Sequence, residues 1–174
     1  ARELSCVGFA QMQDVYCGAA NTLPTRADIM NLYRYKTARY TFSLPLMLGS
    51  MAAGKPMRTV QQLEKLGEHL GIIFQIKDDE LGILGDEEKT GKPVGSDIRE
   101  GKKTLYYYFL QTCAAEDEQA ELAAIFGNPQ LTAVHVQRVH ELLIKYRIEK
   151  KIATILAKEV AQANKIISTV ARQK

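Results

Sequence analysis

The run from Thr59 to Leu84 constrains the fold most, because its apolar residues recur at three- and four-residue intervals rather than every second position. At ~100° per residue, Leu63, Leu66, Leu70, Ile73, Leu81 and Leu84 fall on one stripe of a helix. Gln75, Asp78, Asp79 and Gly82 fall on nearly the opposite stripe. The spacing predicts a long helix that packs on one side and aims a carboxamide and two carboxylates the other way. Gly67 and Gly71 would let a neighbouring helix approach closely, at some cost in helix propensity.

The same period governs the rest of the chain. Arg2 to about Ala20 reads as a helix, broken by Asn21-Thr22-Leu23-Pro24. Thr25-x-x-Asp28 has the form of a capping box and predicts the start of a second helix, which ends near Gly54. Pro45 within it predicts a kink, since it removes a backbone donor and crowds the preceding turn. Thr59-x-x-Gln62 is the expected start of the third helix. Gly85 to Gly95 reads as loop, and Asp97 is the expected N-cap of a fourth helix running to about Thr112. A short fifth helix from Asp117 stops at Gly127-Asn128-Pro129, and two more follow over Leu131–Tyr146 and Glu149–Arg172. No segment sustains strand alternation, and no low-complexity linker divides the chain. The fold class is all-α, with residues 1–174 expected to form one domain.

Composition narrows the function. A hydrophobic content of 46% and a charged content of 25% in 174 residues suit an ordinary globular core. A net charge of +3, no Trp and no basic run interleaved with aromatics give no footprint for nucleic acid. No apolar run approaches the roughly 20 residues that span a bilayer, so no membrane insertion is expected. Cys6, Cys17 and Cys113 form no Cys-x-x-Cys pair, which fits reduced thiols in a cytoplasmic protein.

Chemistry-bearing residues concentrate between Phe74 and Lys103. Asp78 and Asp79 are hard oxygen donors of the type that binds Mg²⁺, which takes one or two carboxylates plus substrate phosphates. Taken alone, an Asp-Asp pair is more often a solvated patch near a helix end. Gln75 shares their stripe, however, and Lys92 and Lys102 stand just beyond in a glycine-bearing loop and a helix start. Glycines let backbone N–H groups approach an anion, and lysines add point charges. Acid for a divalent cation and base for a phosphate thus lie within a short length of chain. Lys36-Thr37, midway along the second helix, has two readings. The pair faces a pocket, or Lys36 snorkels to solvent while Thr37 bonds its own backbone; periodicity alone favours the second.

In order along the chain stand Gln11-Met12-Gln13-Asp14, Tyr35-Lys36-Thr37-Ala38, Phe74-Gln75-Ile76-Lys77-Asp78-Asp79, Gly85-Asp86 with Lys89-Thr90-Gly91-Lys92, and Gly95-Ser96-Asp97-Ile98-Arg99-Glu100-Gly101-Lys102-Lys103-Thr104. This series resembles the trans-isoprenyl diphosphate synthases, which make farnesyl, geranylgeranyl and longer diphosphates. The resemblance implies the isoprenoid synthase helical bundle and an Mg²⁺-dependent prenyltransferase that condenses an allylic diphosphate with isopentenyl diphosphate. It implies that Asp78 and Asp79 ligate the metal and that Lys36, Lys92 and Lys102 contact the allylic diphosphate. Thr37 and Gln75 would turn their oxygens toward the allylic cation. A homodimer is also implied, with the helix Arg2–Ala20 at or near its interface.

Two departures qualify the resemblance. Gly82 stands where the second aspartate-rich motif usually carries its third acid, and Ala10 where a glycine commonly precedes Gln11. The family's earlier aspartate-rich motif and its Arg-Arg pair have no counterpart in the chain, which opens without Met inside a helical pattern. The expectation is therefore the C-terminal part of a short-chain synthase, such as a geranylgeranyl or farnesyl diphosphate synthase, inactive by itself. A non-catalytic subunit of a heteromeric synthase and a terpene cyclase are the alternatives. Lys36, Thr37, Gln75 and Lys92 weigh against the first, and the basic segment Lys89–Lys103 against the second.

Overall fold

Local helix signals account for most of the architecture, and a computed structural model describes it for residues 2–19, 22–85 and 95–172. In chain order the elements are α1 (Arg2–Ala19), α2 (Arg26–Tyr33), a π-helical segment (Arg34–Ser43), α3 (Leu44–Ala52), α4 (Met57–Leu84), α5 (Ser96–Arg99), α6 (Leu105–Cys113), α7 (Glu116–Ile125), α8 (Ala133–Lys145) and α9 (Ile148–Ala171). The described residues contain no strand, as expected. None of the described helices is long and apolar enough to cross a membrane.

Two compact units share the chain: Ala1–Gln13, Met30–Gln75 and Thr154–Lys174 make the first, and Asp14–Ile29 with Ile76–Ala153 the second. The core of the first includes Tyr33, Ala38, Val60, Leu66, Ile72 and Ile155. The second is centred on Ile76, Ile83, Ile98, Leu105, Tyr106, Leu110, Leu122, Val139, Leu142 and Ile148. Each such aliphatic side chain removed from water stabilises the fold by roughly 1.5–3 kcal/mol.

The capping box at α2 forms as the sequence predicts. Asp28 N donates to Thr25 Oγ1 at 3.2 Å, and Thr25 N and Oγ1 donate to Asp28 Oδ2 at 3.0 and 2.6 Å. Helix α4 begins two residues before the expected Thr59, because the Pro56 carbonyl already accepts the N–H groups of Thr59 and Val60 at 2.8 and 3.1 Å. A proline supplies this first acceptor without wasting a donor.

Pro45 does not act where the sequence places its kink. It lies in the first turn of α3, where a missing N–H is harmless, and the irregularity lies upstream as ten residues of π-helix. Leu44 N donates to Arg39 O, five residues back, so the wider register uses the carbonyls differently from an α-helix.

The orientation of α4 also departs from expectation. Asp79 is only 3% exposed and Gly82 is buried, whereas Leu81 is 53% exposed. The side bearing the glycines and acids is packed, whereas of the apolar stripe named above only Leu66 is buried. In the first unit this follows from the glycines: a Cβ at Gly67 would stand 2.5 Å from Ser43 Cα, and one at Gly71 2.3 Å from Ala38 Cα. The π-helical backbone therefore lies directly against α4, and Ser43 Oγ donates to Glu64 O at 2.8 Å.

The expected helix 97–112 is two helices. Gly95 (φ 74°), not Asp97, precedes α5, and Gly101 (φ 66°) ends it. Thr104 then caps α6, its hydroxyl accepting from Tyr107 N at 3.4 Å. The break is held by tertiary hydrogen bonding, since Ile98 O accepts from both Gly101 N at 3.1 Å and Gly127 N at 2.8 Å.

Candidate active site

In the first unit, the π-helical segment carries Lys36 and Thr37. Thr37 is buried, and its hydroxyl donates to Gln75 Oε1 on α4 at 2.6 Å. The structure thus joins two of the residues singled out in the sequence, and rejects the reading in which Thr37 bonds only its own backbone. Lys36 is half-buried one residue earlier. A hydroxyl oxygen beside a carboxamide oxygen offers two lone-pair dipoles, oriented before any ligand arrives. Fixed dipoles of this kind favour positive charge at low cost in reorganisation.

Arg39, which sequence reasoning did not single out, anchors this segment. Its guanidinium forks onto Glu3 through Nε–Oε2 and Nη2–Oε1, both 2.9 Å, and reaches Glu68 at 2.9 Å and Glu64 at 3.2 Å. The bond to Glu3, aided by the charges of all three carboxylates, outweighs burial and holds the guanidinium above its ordinary range. Arg34 Nε adds a contact with Glu68 Oε2 at 3.5 Å. A π-helix is rare and persists where its surroundings over-determine it. The close approach at Gly67 and Gly71 and the fork at Arg39 provide that surrounding.

In the second unit, Asp78 and Asp79 end the polar stripe of α4, with Asp79 buried and Asp78 half-buried. Their neighbour Glu80 accepts a hydrogen bond from the Tyr106 phenol at 3.0 Å and from Lys77 Nζ at 2.8 Å. Burial, and then the charge of Glu80, push the Tyr106 phenol far above its usual range, so it stays a proton donor. Lys102 donates to Asp97 Oδ1 at 2.6 Å and lies 3.1 Å from Glu100 Oε2. Burial lifts the Asp97 carboxyl above its usual value; Lys102 opposes the rise and the Asp78 charge adds to it. For Lys102, burial is outweighed by the hydrogen bond and charge of Asp97, and the ammonium is strongly retained. Asp97 is therefore not the N-cap that the sequence predicts but a buried partner of Lys102. Lys92 lies outside the described residues.

Among the described residues, no three His, Cys, Asp or Glu side chains gather into a ready-made metal centre. The donors at Asp78 and Asp79 nonetheless fit Mg²⁺ in kind. That ion takes one or two carboxylates and completes its shell with water and phosphate oxygens, so it does not require a third acid.

Comparison with known proteins bears on the family and the fold. The polyprenyl synthetase family model matches residues 2–143. Among curated relatives, the geranylgeranyl diphosphate synthase of Saccharolobus solfataricus is 38% identical over 72% of this chain and 37% of its own length. A short chain isoprenyl diphosphate synthase of Methanocaldococcus jannaschii is 32% identical over 80% of this chain and 42% of its own length. The chain thus spans about two fifths of the length of these relatives. Among solved structures, geranylgeranyl pyrophosphate synthase from Corynebacterium glutamicum, complexed with isoprenyl diphosphate and magnesium, superposes with a TM-score of 0.88 at 27% identity. That match covers 94% of this chain and 46% of the other. With an all-α architecture, a match over most of its residues and relatives of one kind throughout, the chain belongs to the polyprenyl synthetase family.

Proposed function

We propose that this chain forms the C-terminal part of an Mg²⁺-dependent trans-prenyltransferase that joins an allylic diphosphate to isopentenyl diphosphate, yielding a geranylgeranyl or farnesyl diphosphate. The observation that carries the reading is the Thr37–Gln75 pair, two oxygens fixed side by side on a π-helical segment and α4. Mg²⁺, when bound, neutralises the departing diphosphate. Asp78 and Asp79 would hold it, and Lys36, Lys92 and Lys102 would contact the phosphate oxygens. As the allylic C–O bond breaks, diphosphate leaves with the electron pair. Thr37 and Gln75 present their oxygens to the allylic cation. The double bond of isopentenyl diphosphate supplies electrons for the new C–C bond, and the departing diphosphate accepts the proton whose loss restores a neutral chain, longer by one isoprene unit.

The protein acts in this reading as a cytoplasmic homodimer, with α1 at or near the subunit interface. The exposed apolar residues Leu4, Phe9, Met12, Val15 and Tyr16 on α1 support that placement. The test is elongation by the full-length protein, with Thr37→Val as the diagnostic variant. Valine keeps the shape and removes the oxygen, so turnover falls about 10²-fold while the KM for the allylic diphosphate stays within about threefold. A full-length protein that elongates no allylic diphosphate, or a Thr37→Val variant with unchanged turnover, would refute the proposal. The 174-residue chain by itself is expected to be inactive.

A further inference from the structure

Gly82 follows Asp78 by four residues, so a side chain there would stand on the same helix face. The space is already filled. A Cβ at Gly82 would lie 2.3 Å from both Cγ and Oδ2 of Asp97 and 2.7 Å from Oδ1. The glycine is therefore a notch, and the carboxylate seated in it comes from α5. Asp97 is bound at both ends: Oδ1 accepts from Lys102 Nζ at 2.6 Å, and its backbone carbonyl accepts from Lys102 N at 3.0 Å. The turn between them suits this, with Gly101 at φ 66° and in close approach to Gly127, whose Cα would be 3.1 Å from an added Cβ. Lys102 is one third exposed, so its ammonium is reachable from solvent, yet two carboxylates, Asp97 and Glu100, already offset its single positive charge.

We infer that the Gly82 notch and Asp97 form a latch on Lys102, which the lysine leaves when a diphosphate anion takes the place of the Asp97 carboxylate. The latch rests on the reading that Lys102 contacts the diphosphate. An ammonium between two carboxylates carries a local net negative charge and repels a bare anion. It becomes a phosphate ligand by exchanging one of these partners. An ammonium has three donors, and exchange needs only rotation of a flexible stem. Asp97 cannot follow, because the notch and its own helix hold it. When the anion departs, the buried carboxylate draws the lysine back.

Two variants of the intact protein test the latch, each checked for folding by circular dichroism. Asp97→Asn keeps the shape and removes the charge, and Gly82→Ala pushes the carboxylate out of the notch. Lys102 reactivity is read by acylation with a succinimide ester and peptide mass spectrometry, with exposed Lys165 as the reference. Affinity for inorganic pyrophosphate is read by titration calorimetry at low salt. Acylation needs the neutral amine, so Asp97→Asn raises Lys102 reactivity about tenfold, the effect of one pKa unit. Removing the competing charge also tightens pyrophosphate binding about three- to tenfold, and Gly82→Ala shifts both readouts the same way. Unchanged Lys102 reactivity in both variants would refute the latch. Unmasked Lys102 with unchanged or weaker pyrophosphate binding would show that Asp97 does not hold it off the anion, and would also overturn the inference. If no form binds pyrophosphate while Lys102 is unmasked in the variants, the diphosphate reading falls, and the exchange with it.

Discussion

Replacing Gly71 by alanine sets two physical effects of known sign against each other, and the structure decides between them. Alanine is the better helix former by about 1 kcal/mol, which would stabilise α4. The added Cβ, however, would lie 2.3 Å from Ala38 Cα, 2.5 Å from Ala38 Cβ and 3.0 Å from Phe42 Cδ2. The first two belong to the π-helical segment's own backbone and its smallest side chain, neither of which can swing aside as a long side chain would. Overpacking of this kind costs about 1–3 kcal/mol, and a backbone neighbour places the cost at the upper end or somewhat beyond. The net expectation is a loss of about 1–3 kcal/mol, or a melting temperature lower by about 3–10 °C for a chain of this size. Gly49→Ala is the matched control. It is also helical but has nothing within 4 Å of its added Cβ, so the melting temperature should rise by about 2–4 °C. The assay is thermal unfolding followed by circular dichroism. Amide exchange across residues 34–43 adds a local readout, because any outward shift of the segment loosens the register that joins Thr37 to Gln75. If Gly71→Ala stabilises the protein as much as Gly49→Ala does, the segment does not lie against α4 and the account of the π-helix is wrong.

Two other perturbations probe the ionic clusters. Arg39→Gln leaves Glu3, Glu64 and Glu68 close together without their shared cation, and partial exposure discounts the penalty, so a loss of about 1–3 kcal/mol in urea unfolding is expected, reduced by added salt; a variant as stable as the parent would show that the cluster is dispensable. Glu118 accepts hydrogen bonds from Lys145 Nζ and the Tyr146 hydroxyl, which hold its carboxyl down at about 2 against an ordinary 4.5. Because the folded value is the lower one, the stability Glu118 contributes is complete above pH 4.5 and is lost as pH falls toward 2. Glu118→Gln should therefore flatten that part of the acid-unfolding curve, and an unaltered acid limb would exclude Glu118 as a contributor.

Much of the fold was legible because its cause is local. Helical spacing needs only neighbours three and four residues apart, and the Thr25–Asp28 capping box closes within one turn, so both could be read from the chain and both form. Candidate residues were legible by type and order: Thr37 and Gln75, far apart in sequence, prove to be hydrogen-bonded. Where expectation failed, the deciding partner was distant. Asp97 has the composition of an N-cap, yet its side chain finds Lys102 and the empty side of Gly82 instead. The apolar stripe of α4 suggested one packed face. The glycines on the other face won, because backbone can approach glycine more closely than any leucine allows.

The sequence by itself determined the helical class, the approximate limits of most helices and which side chains have the chemical type that suits a metal or a phosphate. Those properties follow from torsional preference, short-range spacing and side-chain chemistry. Only the tertiary structure decided that the Lys36–Thr37 stretch is π-helical, that Arg39 is held by three glutamates and that Gly82 is a notch for Asp97. These arise where backbone or charge from remote parts of the chain competes for the same few ångströms of space, and no local pattern records which competitor wins.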